Sequence, residues 1–234
     1  MLRPDPVGYF TGRRFWGFAL GITLTAFVSL TIFFGYRKMV AQPQETPKVN
    51  KPDALDVVET IMAPELEGGV AWINTPHPLK LKDLRGKIVL MDFWTLCCIN
   101  CIHTMPDLAK LEKKYANELV VIGIHSPKFE NEKDTNSIRK AVLRYEIHHP
   151  VLNDANQKVW TSYEINSWPS IVLIDPEGKL VGVASGEGLF EILDKTIAQL
   201  IEKHRKNKTL NEQPLRFDTA AFRAWRDRAW YGCN

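Results

Sequence analysis

The sequence predicts an α/β fold, a mixed central sheet flanked by helices, preceded by one transmembrane helix. Three observations carry this. Residues 15–36 form an uncharged, mostly apolar run; apolar strand-like runs alternate with helix-period segments from residue 57 onward; and a hairpin signal closes the series. At 234 residues the chain holds one ordinary domain with appendages. A formal charge of +3 gives no reason to expect a nucleic acid as partner. Four cysteines are too few for a stapled scaffold, and three of them fall within five residues, which points to local chemistry.

The apolar run would span about 33 Å as a helix, close to the thickness of a bilayer's hydrocarbon core. Arg13 and Arg14 flank one end, Arg37 and Lys38 the other, and Trp16 and Tyr36 lie where interfacial aromatics belong. A cleaved signal peptide fits less well, because the run is long for one and no small-x-small site follows it. Arg3, Arg13, Arg14 and the amino terminus outnumber Arg37 and Lys38. The positive-inside rule then leaves residues 1–14 in the cytoplasm and exports the rest, a single-pass inner-membrane protein with an extracytoplasmic, periplasmic domain. Residues 37–56, with Pro43, Pro47 and Pro52, read as a linker that reaches roughly 60 Å when fully extended.

The domain is expected over 57–206. Val70–Ile73 reads as a short strand and Ile88–Trp94 as a buried one. A helix follows to about Asn117, with Ile102, Met105, Leu108, Leu111 and Tyr115 three or four apart. Leu119–Ile124 is a continuous apolar run, as in a strand covered on both faces. Lys133–Tyr145 and Asn156–Tyr163 read as helices, Ser170–Ile174 and Lys179–Ser185 as a hairpin turning at Asp175-Pro176-Glu177-Gly178, and Leu189–His204 as a closing helix. Residues 207–234 form a basic, aromatic tail in which Phe222, Trp225, Ala229 and Trp230 are helically spaced. That tail suits an interfacial helix or a segment docked on the domain.

The chemistry concentrates where the buried strand ends. Cys98-Ile99-Asn100-Cys101 sits at the mouth of a helix, where exposed N–H groups and the helix dipole stabilise an anion such as a thiolate. A dithiol/disulfide site follows, with Cys98 as the attacking thiolate and Cys101, one turn in, as the resolving thiol. It needs no cofactor, and metal is not expected: a zinc site calls for a second Cys/His pair at suitable spacing. Cys97 reads as a small residue packed under the site. Isolated His103 and His125 read as polar surface, although with the thiols they would suit copper, which makes a membrane-tethered binding or copper-metallochaperone module the alternative function.

Asp92-Phe93-Trp94-Thr95-Leu96-Cys97-Cys98-Ile99-Asn100-Cys101 resembles in register the thioredoxin motif Asp-Phe-Trp-Ala-x-Trp-Cys-Gly-Pro-Cys. The order of elements resembles the thioredoxin fold as well. The N-terminal extension and anchor look like the TlpA/ResA branch. His125-Ser126-x-Lys128-Phe129, Asn131-Glu132-Lys133, Ala141–Tyr145 and Gly186-Glu187-Gly188 resemble the thioredoxin-like domain of NHL-repeat-containing proteins. Those relatives continue into a β-propeller, for which this sequence holds no counterpart. The resemblance implies a thiol–disulfide oxidoreductase acting on protein disulfides and dithiols, supplied by an electron donor that the sequence does not identify. It also implies that Asp92 is the buried acid exchanging a proton with Cys101 through water, that Pro169 is cis, and that Trp168 and Pro169 border the substrate groove.

Overall fold

The strand Ile88–Trp94 (β3) organises the domain, and all seven of its residues are buried. The computed structural model describes residues 56–57, 61–215 and 217. Among them no helix is long and apolar enough to cross a membrane. The expected segments 1–14 and 15–36, all but the end of the linker, and the aromatic stretch of the tail with Cys233 lie outside the described residues.

Around β3 the sheet has seven strands: β1 (Asp56–Val57), β2 (Ala71–Ile73), β3, β4 (Leu119–His125), β5 (Val151–Asn153), β6 (Ser170–Ile174) and β7 (Leu180–Ser185). Their order across the sheet is β1-β7-β6-β3-β4-β5-β2. β3, β4 and β5 are parallel neighbours, while β6, β7, β1 and β2 pair antiparallel. This is the mixed sheet expected from early βα units, which force a crossover, followed by a hairpin, which does not.

The helices are α1 (Ile99–Lys114), α2 (Thr135–Arg144), α3 (Lys158–Ser162) and α4 (Phe190–Lys206). Alternation along β3 divides the core. Ile88 and Leu90 pack with Leu108 and Leu111 of α1 and with Leu193 and Ile197 of α4. Val89, Met91 and Phe93 face the other way, toward Leu81, Val159 and Tyr163. A third cluster joins Trp94, Cys101, Met105, Ile138 and Val142 directly beneath the cysteines.

Two departures from the sequence reading have local causes. β5 is only three residues long and follows Pro150, too short a run to stand out by pattern, yet it pairs with both β4 and β2. The second helix begins at Thr135 because Asp134 caps it, its carboxylate accepting the Ser137 N–H at 2.9 Å.

Candidate functional site

β3 ends at Trp94, and the loop that follows delivers Cys98 to the start of α1. Cys98 has extended backbone angles and caps the helix, its sulfur accepting the Cys101 N–H at 3.1 Å. The two cysteines are joined in a disulfide, with Cα atoms 5.2 Å apart. Cys98 is half-buried and Cys101 fully buried, so one sulfur is available to an incoming thiolate and the other is not.

Asp92 is only 1% exposed and lies on the same face of β3 as Trp94, which packs with Cys101. Its Oδ1 has no hydrogen-bond partner among the described residues. Burial pushes its pKa up to about 7, against an opposing pull from His149. Facing it in the sheet are Gly123 of β4 and Ile171 of β6.

The Trp168–Pro169 peptide bond is cis. Pro169 is buried, and its carbonyl accepts the Gly186 N–H at 2.9 Å. Trp168 is half-buried: its indole N–H donates to the Ser126 carbonyl at 3.0 Å, and its ring lies 4.3 Å from that of Trp160. The side chain packs against the Trp94–Cys101 cluster, as does Cys98. Trp168 thus combines a core contact with partial exposure.

Two residues correct the sequence reading, and a third agrees with it. Cys97 is exposed, not packed under the site, in a loop whose backbone is held by Glu132. Partial burial of the sulfur, then the hydrogen bond to Glu132 and that residue's charge, raise its pKa. His125 is not polar surface; it is 0% exposed, edge-on to Trp94 with centroids 4.9 Å apart, and burial lowers its pKa to about 4. His103 is exposed, with Nδ1 2.9 Å from Glu187.

Glu132 is the site residue that sequence reasoning missed. It is 4% exposed and its carboxylate gathers donors from two loops. Oε2 accepts the Thr95 hydroxyl at 2.6 Å and the Lys128 N–H at 2.8 Å, and Oε1 accepts the Cys97 N–H at 3.0 Å. Burial alone would raise its pKa; the donations from Thr95, Cys97, Lys128 and Phe129 outweigh that and hold it at about 2. The available signal was its place in Asn131-Glu132-Lys133, one of the motifs behind the family resemblance.

The potential metal ligands that converge among the described residues are Asp175, Glu177 and His204, at the hairpin turn and the end of α4. Much of their capacity is already used. Asp175 Oδ1 accepts the Glu177 and Lys179 N–H groups, and Lys179 Nζ lies 3.5 Å from Glu177. The dithiol does not belong to that group.

A family model described as thioredoxin-like matches residues 86–180. Human NHL repeat-containing protein 2 is 47% identical over 133 residues, which are 56% of this chain and 18% of that protein. The comparison therefore covers one domain of a much longer relative. Bacillus subtilis thiol-disulfide oxidoreductase YkuV is 27% identical over 139 residues, 59% of this chain and 93% of YkuV. The solution structure of a thioredoxin-like protein in the oxidised form superposes with a TM-score of 0.55 at 26% identity, covering 61% of this chain and 95% of that one. With the mixed sheet, the helix-capping Cys98–Cys101 disulfide and the cis Pro169, these matches show a domain of thioredoxin-like fold whose residues 86–180 fit the thioredoxin-like family model.

Proposed function

We propose that the chain is a membrane-anchored thiol–disulfide oxidoreductase that exchanges disulfides with protein substrates through Cys98 and Cys101. The observation that carries this is the asymmetry of the pair: an accessible sulfur at a helix N-terminus, a sealed one a turn inside, and a buried carboxyl on the strand that leads to them. In the reducing direction the Cys98 thiolate attacks one sulfur of a substrate disulfide, and the other substrate sulfur leaves as a thiolate. Cys101 then loses its proton to Asp92 and attacks the Cys98 sulfur, which releases the second substrate sulfur and leaves the Cys98–Cys101 disulfide. A carboxyl that titrates near 7 suits that proton transfer at neutral pH.

Support for a protein substrate comes from the surroundings of the dithiol. Ile99, next to Cys98, and Phe129, whose N–H shares the Glu132 carboxylate with Cys97, are large apolar side chains left exposed, and the half-buried Trp168 packs on the same cluster as Cys98. Such a surface suits an extended peptide better than a small disulfide. Residues 15–36 would anchor the protein in the inner membrane, and the linker would hold the dithiol in the periplasm within reach of exported chains.

Insulin reduction by the full chain tests the activity: the wild type accelerates it, Cys98→Ser abolishes it, and Cys101→Ser accumulates mixed disulfides. Full activity in Cys98→Ser would sink the reading. Protease protection in intact and lysed spheroplasts tests the topology, which fails if the domain is sheltered only by the cytoplasmic membrane.

A further inference from the structure

A proton delivered to the buried Asp92 needs a way out. In the parallel pairing of β3 and β4, Asp92 faces Gly123, and paired residues project on the same side of a sheet about 4.8 Å apart. At position 123 there is no side chain. A Cβ placed there would come within 3.1 Å of Trp94 Nε1 and 3.4 Å of His149 Nε2. The absence of a side chain thus lets Trp94, Val151 and His149 close over Gly123, beside its register partner Asp92, whose carboxyl feels the charge of His149; Asp92 Oδ1 and Trp94 Nε1 are both buried and without partners among the described residues.

His149 is held on its other side. Its Nδ1 lies 3.1 Å from Glu112 Oε2 of α1. A carboxylate there accepts from Nδ1–H, which fixes the tautomer and leaves the Nε2 lone pair on the Gly123 side. The segment carrying the ring is pinned as well: Asn74 donates to the carbonyls of Ile147 and His149 at 2.8 and 2.9 Å, and Gly123 N–H donates to Pro150. His149 is 7% exposed, whereas the Glu112 side chain is 29% exposed. Both line a cleft of about 380 Å³ between α1 and the turn that precedes β5, bordered also by Met105, Pro106 and Tyr145.

We propose that His149, oriented by Glu112, relays the proton between Asp92 and solvent through this cleft. This rests on the oxidoreductase reading above. When Cys101 attacks, its S–H bond breaks and the proton goes to Asp92. Asp92 passes that proton to His149 Nε2, giving an imidazolium opposite Glu112, which then releases a proton to the cleft; the reverse direction reprotonates Cys101. The other titratable groups around this line are Cys101 from α1, His125 from β4, and Tyr145, Glu146 and His148 from the turn. Among them His149 both packs over Gly123 and lines the cleft, while His125 is sealed against Trp94. His149 is a positioning and relay residue that does not touch the substrate.

The test is the rate of the resolving step in the full chain, followed by stopped flow from pH 5 to 9 for the wild type, His149→Ala and Glu112→Gln. His149→Ala is expected to slow that step by about tenfold, and added imidazole, which the cleft can admit, restores part of the rate. Glu112→Gln, at a half-exposed position compatible with folding, is expected to shift the pH profile without loss of the initial attack by Cys98. Wild-type rates and profiles in both variants, or slowing that imidazole does not touch, overturn the relay while wild-type turnover leaves the oxidoreductase reading standing. A wild type without disulfide exchange overturns both.

Discussion

Glu132 accepts the Cys97 N–H at 3.0 Å with one carboxylate oxygen and the Thr95 hydroxyl at 2.6 Å with the other. A single buried anion thereby ties the loop ahead of the dithiol to the turn that follows β4. No sulfur of the Cys98–Cys101 pair takes part in this tie, so it is available in either oxidation state.

Removing the anion should cost stability in a pH-dependent way. Its carboxyl titrates near 4.5 when unfolded and at about 2 when folded. The stabilisation is therefore complete above the unfolded value and is lost as pH falls toward 2. Glu132→Ala is expected to lose about 3 kcal/mol at pH 7 and clearly less at pH 3. Urea denaturation at the two pH values checks this, and equal losses would refute it.

The same anion should keep Cys97 quiet. Burial of the sulfur and the neighbouring carboxylate both raise its pKa. Cys97 in the oxidised wild type should react slowly with iodoacetamide at pH 7, and Glu132→Gln should speed that reaction several-fold. Peptide mapping of the labelled cysteine reads the effect; a rate identical in the two proteins would show that Glu132 does not control this thiol. Cys97→Ser should keep insulin-reduction activity.

Asp92 imposes the opposite pH dependence. It ionises near 3.8 unfolded and at about 7 folded. Between those values the folded protein holds the extra proton, so stability falls as pH rises and stays lowered above about 7. Asp92→Asn should raise stability by on the order of 4 kcal/mol at pH 8 and leave it nearly unchanged at pH 3. It should also slow the resolving step. Thermal midpoints across pH decide the first point, and a midpoint difference that does not change with pH would exclude it.

Trp168 should separate protein substrates from small ones. Its half-buried ring packs on the same cluster as Cys98 and is fixed by Trp160 and Ser126. Trp168→Phe, which keeps an aromatic face, should retain most of the activity. Trp168→Ala should raise KM for a protein disulfide more than for a small aromatic disulfide. An equal change for both would make the residue a packing element only.

The strands that were legible in the sequence are those with long apolar runs. Ile88–Trp94 and Ser170–Ile174 were read with their observed limits because burial on both faces requires continuous apolar sequence. Two short strands were not legible: β1, at one edge of the sheet, has two residues and β5, between β4 and β2, has three, and neither is long enough to show a period. At the site, the dithiol and the turn at Pro169 were readable because their residue types are rare and carry the chemistry. Glu132 and His149 were not, because each acts through partners 35 or more positions away, Cys97 and Glu112 respectively. A buried glutamate and a surface glutamate look alike until the donors around them are placed.

Lys87, at the far end of β3 from the cysteines, is 4% exposed and directs its ammonium to the carbonyls of Asn117, Asn211 and Gln213. Asn211 N–H in turn donates to Gly86, and Leu210 and Phe217 pack on the two main apolar clusters. This matters for anyone excising the domain for expression. A fragment cut at the last turn of α4 would keep a sealed cation but remove two of its three acceptors, and would uncover apolar surface on both faces of the sheet. The shortest sensible fragment runs through Phe217, and a poorly behaved shorter one would report on that cut, not on the dithiol.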